Sequence, residues 1–167
     1  MKQDIELAGN VCFGCGQDNS QGLHVSIRRD PTNAERILGD FKAQDHMIGF
    51  PGITHGGAIY TALDCMATWS GMILRRTKAM WVLRSAEMKY HRPAPQAEPL
   101  TLSAMITADG EEWDAIQVIA EARDTGGHLL AGGVFKVIPI PPERFKEMTG
   151  INELPKGWSE WLGENGA

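Results

Sequence analysis

The sequence predicts an α+β fold in which an antiparallel sheet wraps around one long central helix. Three observations lead there: one long apolar stretch with helical character, strand-like segments on both sides of it, and short turn-rich links between the last three segments. Residues 8–23 (AGNVCFGCGQDNSQGL) are dense in Gly, Asn, Asp and Ser and read as turns. Residues 24–29 and 35–42 read as two strands joined across Asp30, Pro31 and Asn33. A second loop, 43–54, carries Gly49, Pro51 and Gly52.

The helix runs from Gly56 to about Arg75. Ala58, Ile59, Ala62, Leu63, Met66, Ala67, Met72 and Ile73 are apolar, and Tyr60, Cys65, Trp69 and Leu74 fill most of its remaining faces. A helix apolar nearly all round is a buried one. Arg75, Arg76 and Lys78 close it with charges suited to a helix C-terminus. Four strand-like segments follow, at 80–91, 100–108, 115–123 and 129–140. Leu100, Leu102, Ala104 and Ile106 alternate with Thr101, Ser103, Met105 and Thr107, the period of a strand with one face on a core. Asp109-Gly110 and residues 124–127 mark turns, so the segments are expected to run as an antiparallel meander. Residues 1–140 thus form the domain. Residues 141–167 form an extension, with a short helix at 143–148 and an aromatic cluster at Trp158, Trp161 and Leu162, packing on the domain or on a neighbouring subunit. One sheet covers one side of a helix that is apolar on most sides. A second copy of the chain is the economical cover, which predicts a homodimer, with a dimer of dimers as its extension.

Composition narrows the function classes. The 167 residues suit one domain, and 43% hydrophobic with 22% charged residues is a globular balance. A net charge of -5 argues against nucleic-acid or anionic-membrane partners, which need a basic excess. Three cysteines cannot all pair within one chain, as in a reducing compartment. Residues 1–10 carry no cationic segment followed by an apolar run, and the uncharged stretch 47–63 is too short and too rich in Gly to span a membrane. A cytoplasmic location is expected.

The chemistry concentrates in Thr54-His55-Gly56-Gly57-Ala58-Ile59-Tyr60-Thr61-Ala62-Leu63-Asp64. Two glycines open the helix where Ser, Thr or Asp would ordinarily cap it. Without side chains there, a ligand reaches backbone N–H groups that the helix dipole makes good donors to a developing oxyanion. Asp64 sits mid-helix, where an ionised carboxylate costs several kcal/mol unless paired or hydrated. Structural readings stand beside these. The glycines also suit close packing, Asp64 suits a bond to Thr61, Thr68 or a strand, and His55 suits a bond to a loop carbonyl. Periodicity leaves these alternatives open.

His55-Gly56-Gly57 followed by Asp64, set in residues 51–57 (PGITHGG), closely resembles the hotdog-fold acyl-CoA thioesterases of the PaaI-like type. Cys12-Phe13-Gly14-Cys15-Gly16 with Asn19 and Gly22-Leu23 resembles the N-terminal signature of one branch. Met88-Lys89-Tyr90-His91-Arg92-Pro93 with Glu98-Pro99-Leu100 resembles the strand and bend after the helix. The resemblance spans about residues 11–140 and implies a dimerising fold of helix within sheet. It implies thioester hydrolysis, with Asp64 as nucleophile or general base, the Gly56 N–H polarising the carbonyl, His55 orienting the loop or substrate, and Gly57 allowing close approach. Many relatives have Asn or Gln where this chain has Gly49, and some have Ser or Thr where it has Leu83.

Gly56 and Asp64 are eight positions apart on one helix, roughly 12 Å. A reacting carbonyl needs its attacker and its oxygen's donor each about 3 Å away. The site is therefore expected to be composite, Gly56 from one subunit and Asp64 from the other. Arg75, Arg76 and Lys89, with Lys78 and Arg92, are the cations available to coenzyme A phosphates, a solvated rim being their ordinary role. No cofactor is expected. Cys12-x-x-Cys15 has the spacing of half a zinc site, but no second pair follows and Cys65 falls in the buried helix, so a buried turn is the reading and no metal is expected. Two other functions stay open. One is a non-catalytic binder of acyl-CoA or acyl-carrier protein. The other is a hotdog dehydratase or hydratase, with His46 as its histidine.

Overall fold

Alternation is visible in the burial of the strands. β2 (Arg36–Phe41) buries Ile37, Gly39 and Phe41, β6 (Leu100–Ala108) buries Leu100, Leu102, Ala104 and Ile106, and β7 (Ile116–Arg123) buries Ile116, Val118, Ala120 and Ala122. Such period-two burial gives the sheet one core face. The computed structural model describes residues 7–163. Its main sheet adds β1 (Ser26–Arg29), β5 (Met80–Tyr90) and β8 (Leu129–Ile140), in the order β1-β2-β6-β7-β8-β5 with every pairing antiparallel. Across the core face lies α1 (Gly56–Leu74).

Two details differ from the sequence reading. First, β5 does not lie beside β6. It pairs with β8, from Met80 opposite Ile140 to Tyr90 opposite Ala131. Residues 91–99 carry the chain over three strand positions, roughly 14 Å, which nine residues span easily. Only the tight links after β6 and β7 dictate adjacency, so the meander is β6-β7-β8. Secondly, the loop at 43–54 contains structure. A 3-10 turn at Asp45–Met47 leads into β3 (Ile48–Phe50) and β4 (Ile53–Thr54), a small hairpin turned by Pro51-Gly52. Gly52 has φ of 76°, the left-handed conformation that the position after the proline requires.

The helix is not apolar all round. Gly57 is exposed and Thr61, Asp64 and Thr68 are half-buried, at spacings that line them along one face as a polar stripe. The chain's own ends close the neighbouring flank. Gly14 lies against Cys65, Trp69 Nε1–H donates to Cys15 Sγ at 3.1 Å, and the Trp69 and Trp158 rings stand 6.3 Å apart. Trp158 belongs to α3 (Lys156–Leu162), which follows α2 (Pro142–Thr149) and is tied to the N-terminal segment by Gly157 N–H on Ala8 O at 3.1 Å. α3 therefore packs against the rest of its own chain. At the far end of α1, Arg29 donates to Ile73 O at 2.7 Å and satisfies a terminal carbonyl. Among the described residues, no helix is long and apolar enough to cross a membrane.

Helix and sheet meet most tightly at Gly71. A Cβ there would stand 2.3 Å from Trp81 Cδ2 and 2.6 Å from Cγ and Cε3. Gly71→Ala is expected to destabilise the chain by about 1–3 kcal/mol, because overpacking an indole outweighs the better helix propensity of Ala. The denaturation midpoint in urea reads this directly.

Candidate functional site

The start of α1 is built by its own residues and by the hairpin before it. His55 N–H donates to Met47 O at 2.8 Å and Thr54 N–H to Ala94 O at 2.9 Å, which fixes the chain's entry into the helix. His55 is the N-cap: its Nδ1 accepts the Gly57 N–H at 2.9 Å, and its carbonyl accepts from Ala58 and Ile59. With Nδ1 accepting, Nε2 is the ring nitrogen left to face other groups. The sequence allowed a bond from this ring to a loop carbonyl; the ring caps the helix instead. Among the described residues no hydrogen bond engages the Gly56 N–H, which lies at the positive end of the helix.

Tyr90, from the end of β5, was not singled out as a site residue. Its hydroxyl donates to Gly56 O at 3.0 Å, and a Cβ on Gly56 would approach the ring at 3.2 Å. Gly49 lies under His55, where a Cβ would stand 3.4 Å from imidazole Cδ2. Around these groups opens a cleft of about 470 Å³, lined among others by Phe50, His55, Gly56, Tyr90 and Arg92. Two of its apolar side chains are exposed, Phe50 at 75% and Tyr90 at 53%. A half-exposed tyrosine at a strand end carries no periodicity signal that would mark it in a sequence.

Asp64 lies two turns along the polar stripe. Its carboxylate accepts no hydrogen bond and forms no ion pair among the described residues. The neighbouring hydroxyls are committed elsewhere: Thr61 donates to Gly57 O at 2.9 Å, and Thr68 to the carbonyls of Asp64 and Cys65 at 3.2 and 3.1 Å. The structural reading of Asp64, an acid bonded to these threonines or to a strand, therefore does not hold. Burial, and then negative charge on the nearby Cys12 sulfur, push its pKa up to about 6. Unpaired half-buried acids are costly and collect at functional sites.

The cations are scattered. Arg75 pairs with Glu35 at 2.9 Å and Asp109 at 2.6 Å at the opposite end of α1, and with Arg76 it lines a separate cleft. Lys89 is exposed, 3.9 Å from Glu87, and Lys78 sits 3.9 Å over the Trp161 ring. Only Arg92 of these five lines the cleft at Gly56. His46 is exposed on the 3-10 turn and is not among the cleft's lining residues. Cys65, which the sequence reading set apart in the helix, faces the N-terminal turn: its Sγ stands 3.9 Å from that of Cys12.

Residues 51–110 match the family model of the thioesterase superfamily. The match covers about a third of the chain. The matched stretch runs from the β3–β4 turn through α1, β5 and β6, and so contains His55, Gly56, Gly57, Asp64 and Tyr90. Solved structures share its hotdog fold. A putative thioesterase from Ralstonia eutropha JMP134, described as phenylacetic acid degradation-related, is 22% identical over 70% of this chain and 85% of its own, with a TM-score of 0.62. The PaaI protein of E. coli, from the phenylacetic acid degradation operon, is 15% identical over 64% and 73%, at 0.57. A Streptococcus mutans UA159 protein solved bound to acetyl CoA is 15% identical over 64% and 82%, at 0.58. No curated protein matches the chain.

Proposed function

We propose that this protein is an acyl-CoA thioesterase acting as a homodimer, with Asp64 of one subunit and the Gly56 N–H of the other forming each site. The observation that carries this reading is the bare Asp64 carboxylate, half-buried on the open stripe of α1 with no partner of its own. Along one helix it lies roughly 12 Å from the Gly56 N–H, too far for both to act on one carbonyl. A second copy whose helix runs antiparallel across a two-fold axis would bring the two together, twice per dimer. β5 supports such a copy, since among the described residues its outer edge is unpaired over Met80–Tyr90 and long bare edges invite pairing.

In this site the thioester oxygen would lie on the Gly56 N–H, where the helix terminus stabilises negative charge. Asp64 would take a proton from water as the oxygen adds to the carbonyl carbon, or attack that carbon itself and form an anhydride that water then cleaves. Collapse of the tetrahedral oxyanion breaks the C–S bond, and the coenzyme A thiolate takes up a proton. His55 holds the loop through its cap on Gly57, and Tyr90 holds the Gly56 peptide by its carbonyl. Arg92, which lines the cleft, would meet phosphate, while Arg75 and Arg76 line a separate cleft and Lys89 is exposed. The acetyl CoA bound by the Streptococcus mutans protein and the coenzyme A in a Streptococcus pneumoniae TIGR4 structure support the ligand class.

Thiol release from a panel of aliphatic and aromatic acyl-CoAs tests the reading; turnover on at least one class is expected. A second reading, binding without hydrolysis, draws on Gly49, which places no carboxamide beside His55 to hold water. It predicts tight acyl-CoA binding with no thiol released. Hydrolysis needs Asp64 ionised, so kcat/KM is expected to fall about tenfold per pH unit below about 6, where the raised carboxyl takes up its proton. A flat profile between about pH 5 and 8 would contradict a role for the ionised acid.

A further inference from the structure

Cys12, Cys15 and Cys65 play no part in the chemistry above, yet the fold gathers them. Their Sγ atoms all lie within 4.8 Å of one another, and the Cys12–Cys65 separation is 3.9 Å. Zinc–thiolate bonds of about 2.3 Å in a tetrahedron set sulfur–sulfur distances of roughly 3.8 Å. The three thiols are thus within an ångström of the spacing that one such ion imposes.

The surroundings are built for this. Cys12-Phe13-Gly14-Cys15-Gly16 forms a tight turn closed by Gly16 N–H on Cys12 O at 2.9 Å. Gly16 cannot carry a side chain, because a Cβ would fall 2.4 Å from Cys12 N. Nor can Gly14, whose Cβ would fall 2.3 Å from Cys65 Sγ; its bareness is what lets the helix cysteine reach the turn. Trp69 Nε1–H donates to Cys15 Sγ at 3.1 Å, and the buried Asn10 side chain offers Nδ2 to the same sulfur at 3.8 Å while accepting the Cys12 N–H at 3.1 Å. Donors aimed at sulfur stabilise thiolate ligands and hold them in place. A disulfide would use two of these sulfurs, leave the third idle and have no need of the donors.

We propose that Cys12, Cys15 and Cys65 bind one thiophilic divalent cation, zinc(II) by preference, clasping the N-terminal turn to the middle of α1. The thiol protons leave to solvent as the three Zn–S bonds form, and the fourth position, on the exposed Cys12 side, takes a water. All three sulfurs come from one chain, so the site needs no dimer.

The test uses the full chain, reduced and stripped of metal, then titrated with zinc under anaerobic conditions. About one zinc per chain is expected to bind and to raise the thermal midpoint. Cobalt(II) in its place is expected to show thiolate-to-metal charge-transfer bands and the intense visible bands of a tetrahedral ion. Cys12→Ser changes an exposed residue and is expected to keep the fold while weakening zinc by roughly 100-fold or more and abolishing the cobalt bands. Cys15→Ser, judged alongside by circular dichroism, should do the same. A reduced chain that takes up no zinc, or uptake unchanged in Cys12→Ser, overturns the proposal.

Discussion

Asp64→Asn is expected to cut thiol release from acyl-CoA by roughly 10²–10⁴-fold while leaving the fold and the binding of acyl-CoA in place. The two side chains have the same shape, but the amide neither accepts a proton nor attacks a carbonyl. Little else is lost, because the native carboxylate has no hydrogen bond or ion pair to give up. The same substitution is expected to raise stability at neutral pH. A carboxyl raised to about 6 in the folded chain binds more protons there than in the unfolded chain, so folding weakens as pH rises from about 4 to 6 and the acid ionises. Discounted for its partial exposure, the gain in Asp64→Asn is about 1–2 kcal/mol at neutral pH and vanishes below about pH 4. Lost turnover with gained stability is the pattern of a functional acid held at a cost. Thermal melts of both proteins across that pH range, beside the thiol assay, read both effects.

Gly56→Pro is expected to cost about 10²–10³-fold in kcat, the effect of deleting one oxyanion donor. Only proline removes a backbone N–H, and here it does so cheaply. Gly56 is the first residue of α1, where proline is well tolerated, and its N–H makes no hydrogen bond among the described residues. His55, at φ -62° and ψ 134°, already has the extended conformation that a following proline demands. Gly56→Ala is the control. It adds a Cβ 3.2 Å from the Tyr90 ring but keeps the donor, so it should lose much less activity than the proline variant. Equal losses in the two would assign the effect to displacement of Tyr90 rather than to the N–H.

Local pattern made much of this architecture legible. The bounds of β6 and β8 and the start of α1 follow from alternation, helical apolar spacing and flanking turn residues, all of which act within a few positions. The placement of β5 did not, because its partner lies forty residues on and the link between β5 and β6 is long enough to reach several strands. Nor did the polar stripe stand out, since Thr61 and Thr68 are separated by apolar residues and align only on the helix surface. The candidate site divides the same way. His55, Gly56 and Asp64 share one segment and are visible as a group. Tyr90 reaches Gly56 from a strand end, and Cys65 meets Cys12 across 53 positions, so both depend on tertiary packing. Arg75 shows the converse: a helix-end cation that looked available for phosphate is already held by Glu35 and Asp109.

The central claim is that each site is shared between two chains. Asp64→Asn and Gly56→Pro subunits, each almost inactive alone, should regain activity when unfolded together in equal amounts and refolded. Random pairing makes half the dimers mixed, and each mixed dimer carries one site with both native groups, so about a quarter of wild-type thiol release is predicted. Recovery near that level supports the shared site. A mixture no more active than its two parents, with mixed dimers shown to have formed, would contradict it.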